Sequence, residues 1–405
     1  MNILMISDVF FPRINGVSTS ILTFTRCLSA GGHRVTLIAP AYPAGYTDTF
    51  DVIRIPSLRI PMDPEDGLMQ MRAIKRLLPI LKLKQYDLVH IHTPFAAHYA
   101  GVWLARKLDL PVVVSYHTFF EAYLDKYLPW IPATWLRLAA RTFSRTQCND
   151  VNGVISPSRQ MLDHLRRYGV TQNACVIPTG LPLEKFKLSP DNDFRNRYDI
   201  PRDAYVLLYL GRVAYEKNID FLVRMFSIVK QHAPNAIMVI AGEGPAKNNL
   251  KKQVSAMGLS GDVRFIGYLK PMQAVVDCYD ACNLFVFASE TETQGLVLLE
   301  AMACGTPVVS CACLGSEDVL HEGVGCRISP LETDTFAAKV IEVISDPSIT
   351  AALRQRGLEY VKAWSDSVKT EEMIAFYMTI TGQAPQPASP TKNSHGISQG
   401  SEVET

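Results

Sequence analysis

The sequence predicts an α/β protein made of two doubly wound domains, each a parallel sheet with helices on both faces, set across a cleft from one another. Three observations lead there. Short β-branched runs alternate with helix-patterned stretches, and apolar strands separated by helices are the pattern of parallel sheets buried on both faces. The alternation runs once, is interrupted, and starts again, which describes two such sheets. The chain has 405 residues, a length that suits two domains better than one.

The first series is NILMIS (2–7), a helical stretch from about Val17 to Ala30, RVTLIA (34–39), DLVHIH (87–92), PVVVSYH (111–117), GVIS (153–156) and ACVIP (174–178). The second is YVLLYLG (205–211), AIMVIAG (236–242), VRFIG (263–267), NLFVFA (283–288) and PVVSCA (307–312). Between them, Leu181 to Pro201 is polar and holds three prolines. The expected organisation is a domain over 1–182, a linker over 183–201, a second domain over 202–365, a last helix over 366–381, and a tail over 382–405. The tail has too few apolar residues to fold and is expected to be disordered.

Composition narrows the class. At 48% hydrophobic and 20% charged residues, this is an ordinary globular chain able to build a core without disulfides. The nine cysteines form no CxxC pair and read as reduced thiols of a cytosolic protein. The opening MNILMISD lacks a basic stretch and reaches Asp8 early, so no signal peptide is expected. No run of roughly 18 apolar residues predicts a membrane span. Residues 1–180 carry 19 Lys and Arg against 12 Asp and Glu, whereas the remainder carries 21 against 27. The basic first half is expected to meet something anionic. Nucleic acid is not expected, because the basic residues are not interleaved with stacking aromatics.

Ligands of open α/β sheets bind beyond the carboxyl ends of strands, and here in the cleft. The loops after strands therefore carry the candidates. Arg212 and Lys217 follow YVLLYLG and precede a helix, a setting that offers a phosphate fixed charge and free backbone amides; surface cations paired with Glu216 are the alternative. AGEGP (241–245) has Gly242 and Gly244, but Lys247 stands where the dinucleotide fingerprint needs a third glycine, which argues against a nicotinamide dehydrogenase. Gly244 still lets a base or ribose approach closely. Gly16 opens the helix after the first strand and brings amides near an anion, or is a plain turn glycine with Ser18 as the cap. His90, His92, His98 and His117 lie at or near strand ends. They share no acidic or thiol partners at metal-ligand spacing, so no metal is expected. Of the four, His117 is best placed to face the cleft. PDND (190–193) imitates a metal-binding Asp-x-Asp, but its place in the linker makes helix capping the better reading.

The stretch ETETQGLVLLEAMACGTPVVS (290–310) poses its own question. Glu300 lies inside an apolar helix that should be buried, where a carboxylate is costly without a partner. Glu292 precedes the helix, and Gly295, Leu296 and Val297 present free amides at its start. The pair either holds polyols on both sides of a phosphate, or one carboxylate complements the helix dipole and the other pairs with a basic neighbour.

Glu292-x7-Glu300 within this stretch, together with PRINGVSTS, SYHTFF, GRVAYEKNIDFL and AGEGP in order, resembles the retaining family 4 glycosyltransferases of the glycosyltransferase B (GT-B) fold, over nearly all of residues 1–380. In particular it resembles the diacylglycerol glucosyltransferase and phosphatidylinositol mannosyltransferase branch. The resemblance implies two Rossmann-like domains, with a nucleotide-diphosphate sugar bound mainly to the second and the last helix crossing back to the first. Arg212 and Lys217 would grip the diphosphate, and Glu300 would accept from the ribose hydroxyls. Glu292 would contact the sugar beside the amides of Gly295, Leu296 and Val297. His117 would approach the sugar from the first domain, and Gly16 and Gly244 would lie by the donor. His117, Arg212, Lys217 and Glu292 are thus the expected catalytic group, and no metal or cofactor is expected. One departure stands out: relatives often carry Ser-Phe or Gly-Phe before the signature glycine, where this chain has Thr293-Gln294, so Gln294 is expected to alter donor-sugar contacts.

For the acceptor, RAIKRLLPILKLK (72–84) sets Arg72, Lys75, Arg76 and Lys82 on one helical face and Ile74, Leu77, Leu78 and Leu81 on the other. That pattern suits an anionic membrane surface, although Pro79 should kink the helix. Arg137, Arg141 and Arg145 add a second basic row. The expected activity is transfer of a hexose, UDP-glucose favoured, to a lipid such as diacylglycerol, by a cytoplasmic enzyme peripheral on the membrane. The alternatives are the same transfer to a soluble or polysaccharide acceptor, a sugar-nucleotide epimerase on the same fold, and a non-catalytic nucleotide-sugar binder.

Overall fold

The computed structural model describes residues 1–13, 15–42, 46–60, 63–117 and 132–383. In the first half these form β1 (Asn2–Ile6), β2 (Arg34–Pro40), β3 (Asp51–Ile55), a hairpin of β4 (Ser57–Ile60) and β5 (Asp63–Met69), then β6 (Leu88–Ile91), β7 (Val112–Ser115), β8 (Gly153–Ser156) and β9 (Asn173–Val176). All but the hairpin join one seven-stranded sheet in the order β3-β2-β1-β6-β7-β8-β9, parallel throughout. The second half adds β10 (Tyr205–Leu210), β11 (Ala236–Ala241), β12 (Val263–Gly267), β13 (Leu284–Phe287), β14 (Val308–Ser310), β15 (His321–Glu322) and β16 (Gly325–Ile328). They form a second seven-stranded sheet, β12-β11-β10-β13-β14-β16-β15. The chain therefore folds as two Rossmann-like domains.

All eleven apolar runs read from the sequence form strands. Every residue of β1, β11 and β13 is buried, which is why each reads as an unbroken apolar run instead of an alternation. The strands that the runs did not reveal are β3, β4, β5, β15 and β16. Of these, β3 and β15 lie at sheet edges, where one open side tolerates polar residues such as Asp51 and Arg54, and β15 is only two residues long.

The chain passes between the domains twice at one place. The backbone N–H of Leu181 donates to Trp364 O (2.8 Å), and that of Asp366 returns to Leu181 O (3.0 Å). The two crossings are so close that a Cβ on Gly180 would lie 2.3 Å from Asp366 Cα, so only glycine fits there. Arg26 fastens the junction from the first domain, pairing with Glu184 at 2.9 Å and with Asp366. Within 183–201, Phe186, Phe194 and Ile200 are buried in the core of the second domain, so this polar-looking segment is packed down by three apolar side chains. The helix Asp366–Thr381 then lies against the first domain, with Met373 and Tyr377 in a cluster with Ile3, Met5, Ile21 and Phe24. Gly382 ends it at φ 69°. The rest of the expected tail, and Thr118 to Phe120 of SYHTFF, lie outside the described residues.

Candidate active site

Three loops of the second domain meet beyond the carboxyl ends of adjacent strands. The loop after β10 is tied to the loop after β11 by Val213 N–H donating to Glu243 O (2.9 Å) and Ala246 N–H donating to Val213 O (3.0 Å). The approach needs glycines, since a Cβ on Gly244 would sit 2.3 Å from Val213 O and one on Gly242 would sit 1.9 Å from Gly211 O. Gly244 thus serves the close packing of these two loops. The loop after β13 joins through Ser289 Oγ, which donates to Glu216 O (3.3 Å).

Lys217 leaves this junction and pairs with Glu292 at 2.7 Å, not with Glu216. Its Nζ also lies 5.9 Å from the centre of the Phe287 ring. Arg212 is exposed on the same loop, with its backbone held by the Tyr209 hydroxyl donating to Arg212 O (2.9 Å). Beside them the helix Leu296–Ala303 begins after Gly295, whose φ of 81° is in the left-handed region that glycine enters at little cost. Glu292 O accepts from Gly315 N–H (2.9 Å), which fixes the carboxylate-bearing loop against the next one.

Glu300 is held by a phenol instead of a cation. The hydroxyl of buried Tyr279 donates to Glu300 Oε2 (3.1 Å). Burial raises the Glu300 carboxyl to about 6, and this hydrogen bond opposes the rise without cancelling it. Tyr279 lies on the helix Met272–Ala281, and nothing in the sequence marks it as a partner of Glu300. Leu296 and Glu300 form one wall of a cavity of about 760 Å³ between the domains. Tyr268, Leu269 and Lys270 line another side, and Thr19, Thr23 and Arg26 of the first domain close it. This volume lies in the range of small-molecule sites.

The first domain contributes the helix Gly16–Ala30. Its cap is Asn15, whose side chain accepts from Ser18 N–H (2.8 Å); Ser18 is not the cap, and its own hydroxyl is buried without a partner among the described residues. The space a Cβ on Gly16 would enter is open. His117 follows β7 and is half-buried, within 3.4 Å of His92. His98 is buried on the helix Ala96–Leu108. Among the described residues no group of three His, Cys, Asp or Glu is gathered as for a metal ion.

The structure thus brings Arg212, Lys217, Glu292, Gly244 and Gly295 to one cluster of loops, and puts Leu296 and Glu300 on the cavity wall. Gly16 is separated from that cavity by one helical turn, since Thr19 lines it. Gln294 corrects an expectation. It is only 8% exposed, and both its amide atoms are engaged across the domain junction: Oε1 accepts from Thr179 N–H (2.9 Å) and Nε2 donates to Thr179 O (2.7 Å). Gln294 therefore clasps the first domain and is not available to the sugar. Thr179 in turn donates to Ser20 Oγ (2.9 Å). Gln294→Ala strips partners from two buried backbone groups at about 1–3 kcal/mol each, and is expected to destabilise the protein by about 2–6 kcal/mol in a thermal melt. A loss under about 0.5 kcal/mol would show that water replaces the clasp without cost.

The basic stretch is interrupted near Pro79, as expected. It is two short helices, Met71–Arg76 and Leu78–Leu83, and Pro79 sits in the first turn of the second, where a missing N–H costs nothing. Ile74 and Leu81 are buried, Arg72, Lys75, Arg76 and Lys82 are exposed, and Ile80 and Leu83 stand out 55% and 84% exposed. Lys75 lies over the Trp103 ring at 5.5 Å. On the helix Ala133–Asn149, Arg137, Arg141 and Arg145 are exposed near Trp135 and Leu138, which are 69% and 58% exposed. Among the described residues no helix is long and apolar enough to cross a membrane.

Comparison with known proteins agrees with this geometry. The family model described as Glycosyltransferase Family 4 matches residues 14–185, and that described as Glycosyl transferases group 1 matches residues 190–361. The chain is 34% identical over 319 residues to an alpha-monoglucosyldiacylglycerol synthase of Streptococcus pneumoniae, covering 76% of this chain and 71% of that one. It is 29% identical over 395 residues to the enzyme of the same name from Acholeplasma laidlawii, covering 94% and 97%. A GDP-mannose-dependent alpha-mannosyltransferase of Corynebacterium glutamicum is 25% identical over 391 residues, covering 94% and 89%. Among solved structures, Anabaena HepE in complex with UDP superposes with a TM-score of 0.76 at 19% identity, covering 94% of this chain and 100% of that one. The chain belongs to the family 4 glycosyltransferases of the GT-B fold and is a glycosyltransferase.

Proposed function

We propose that this glycosyltransferase moves a hexose from a nucleotide-diphosphate sugar, UDP-glucose favoured, to a membrane lipid such as diacylglycerol, with retention at the anomeric carbon and without a metal ion. The observation that carries the reading is the Lys217–Glu292 pair, with exposed Arg212 on the same loop as Lys217, while Glu300, eight residues after Glu292, walls a cavity of about 760 Å³. Arg212 and Lys217 supply fixed positive charge where the diphosphate gains negative charge on leaving, and preorganised charge of this kind lowers the barrier. Glu292 orients Lys217 and accepts from sugar hydroxyls. Glu300, once ionised, accepts from the ribose. The amides near Gly295, Leu296 and Val297 face the diphosphate, while His117 and the Gly16 turn close the site from the first domain. As the acceptor oxygen bonds to the anomeric carbon, the bond from that carbon to the phosphate oxygen breaks, and the acceptor proton passes to the departing phosphate on the same face.

The relatives named alpha-monoglucosyldiacylglycerol synthases support a lipid acceptor. So do the exposed Arg72, Lys75, Arg76 and Lys82 beside Ile80 and Leu83, since exposed cations mixed with apolar side chains suit an anionic bilayer surface. UDP, GDP and ADP, each with and without EDTA, are to be compared by thermal shift. UDP is expected to raise the melting temperature, as a ligand of the native state must, equally in EDTA. Radiolabelled glucose should then pass from UDP-glucose to diacylglycerol in vesicles, faster with anionic lipid present. A shift only with GDP would reassign the donor, and transfer to soluble acceptors alone would remove the lipid.

A further inference from the structure

His92 and His117 follow adjacent parallel strands, β6 and β7. Their rings stack at 5.7 Å with 18° between planes, and His92 Nδ1 lies 3.4 Å from His117 Nε2. On its other face His92 meets the His90 ring at 4.0 Å. His90 cannot serve His92, because its two nitrogens are taken by the Tyr377 hydroxyl (2.6 Å) and Ser115 Oγ (2.8 Å). His92 is 1% exposed, and its Nε2 is buried with no partner among the described residues. Among the described residues the hydrogen-bonding partner of its ring is therefore His117.

We propose that His92 is a positioning residue that fixes the tautomer of His117, so that His117 offers Nδ1–H as a hydrogen-bond donor to the sugar. Burial keeps His92 neutral, helped by the two imidazoles beside it, and keeps His117 neutral to about pH 4. A neutral imidazole has one N–H and one lone pair. Were the His92 proton on Nε2, a buried N–H would be left with nothing to donate to, and an unpaired buried donor is costly. With the proton on Nδ1 the orphan is only a lone pair, and Nδ1–H donates to His117 Nε2. His117 Nε2 is then the acceptor, and its own proton must be on Nδ1, the nitrogen left for a ligand. A neutral donor at that position binds a sugar hydroxyl without adding a third cation to Arg212 and Lys217 near the diphosphate.

The inference rests on the transferase reading for its consequence but not for its test. In ¹⁵N-histidine-labelled protein, long-range proton–nitrogen correlation assigns each tautomer directly. His92 and His117 are both expected as Nδ1–H, and an Nε2–H tautomer for His117 overturns the proposal whatever the enzyme transfers. His92→Phe keeps a ring in the stack and removes the donor. With its melting temperature shown to match the unmutated protein, its kcat should fall about tenfold or more, the scale for removing a partner that orients a working imidazole. The donor KM and the UDP-induced thermal shift should stay within about twofold. His92→Asn places an amide N–H near Nδ1 and should restore much of kcat. A Phe variant with unchanged kcat, or an Asn variant no better than Phe, refutes the positioning role. A protein that transfers no sugar at all would refute the function instead, leaving the tautomer to be decided by the spectra.

Discussion

Lys217→Ala is expected to lower kcat/KM for nucleotide-sugar transfer by about 10²–10³, the scale seen when one preorganised electrostatic group is removed from a transition state. The argument begins with the pair. Lys217 and Glu292 are 2.7 Å apart and only about a fifth exposed, so the ammonium is already oriented when the donor arrives. Removing it costs twice, because the diphosphate loses a cation and then faces the unpaired Glu292 carboxylate. Stability should hardly register the change, since a partly exposed ion pair contributes on the order of 1 kcal/mol. A large kinetic effect with a small melting shift therefore marks a role in chemistry. Adding Glu292→Ala to Lys217→Ala should cost less than the two losses combined, as expected for residues in contact. Steady-state kinetics of the three variants decide it, and a single variant within about threefold of the unmutated enzyme would remove Lys217 from the mechanism.

Glu300→Gln is expected to move stability and binding in opposite directions. The Glu300 carboxyl titrates at about 6 in the folded protein, against 4.5 for an unburied glutamate. A raised carboxyl value means that the folded state binds its proton more tightly than the unfolded state does. The folded protein thus loses stability as pH rises from about 4.5 through about 6, and above that the loss is about 2 kcal/mol. Glutamine bears no charge and escapes the loss, while its carbonyl still accepts from Tyr279. The variant should therefore be more stable than the unmutated protein by up to about 2 kcal/mol at pH 7 and no more stable at pH 4. Nucleotide binding should run the other way. The ionised carboxylate is the better acceptor for ribose hydroxyls, so affinity of the unmutated protein should strengthen as pH rises through about 6. The glutamine variant should lack that rise. Melting curves and nucleotide titrations across pH 4–8 test both halves, and parallel pH profiles for the two proteins would show that Glu300 does not titrate in this range.

Much of this was legible in the sequence because strongly apolar strands leave no ambiguity. Leu284–Phe287 and Ala236–Ala241 are buried on both faces, so their burial appears directly as apolar runs. The alternation of those runs with helices predicted two parallel sheets. The Glu292-x7-Glu300 spacing and the Arg212 and Lys217 positions were equally readable, since each lies within one local segment just beyond a strand. The sheet edges were harder, because β3 mixes Asp51 and Arg54 into a half-buried strand.

What the sequence determined by itself was the fold class, the family pattern and the local identity of the charged loop residues, all properties of short segments. What only the tertiary structure decided was which distant residues answer each polar group. Tyr279 satisfies Glu300 from 21 positions away, Gln294 clasps the backbone of Thr179 115 positions away, and Tyr377 reaches His90 across 287. A buried polar atom takes whatever partner the packed chain brings within about 3 Å. That choice follows from how sheets and helices stack in space, and no spacing along the chain encodes it.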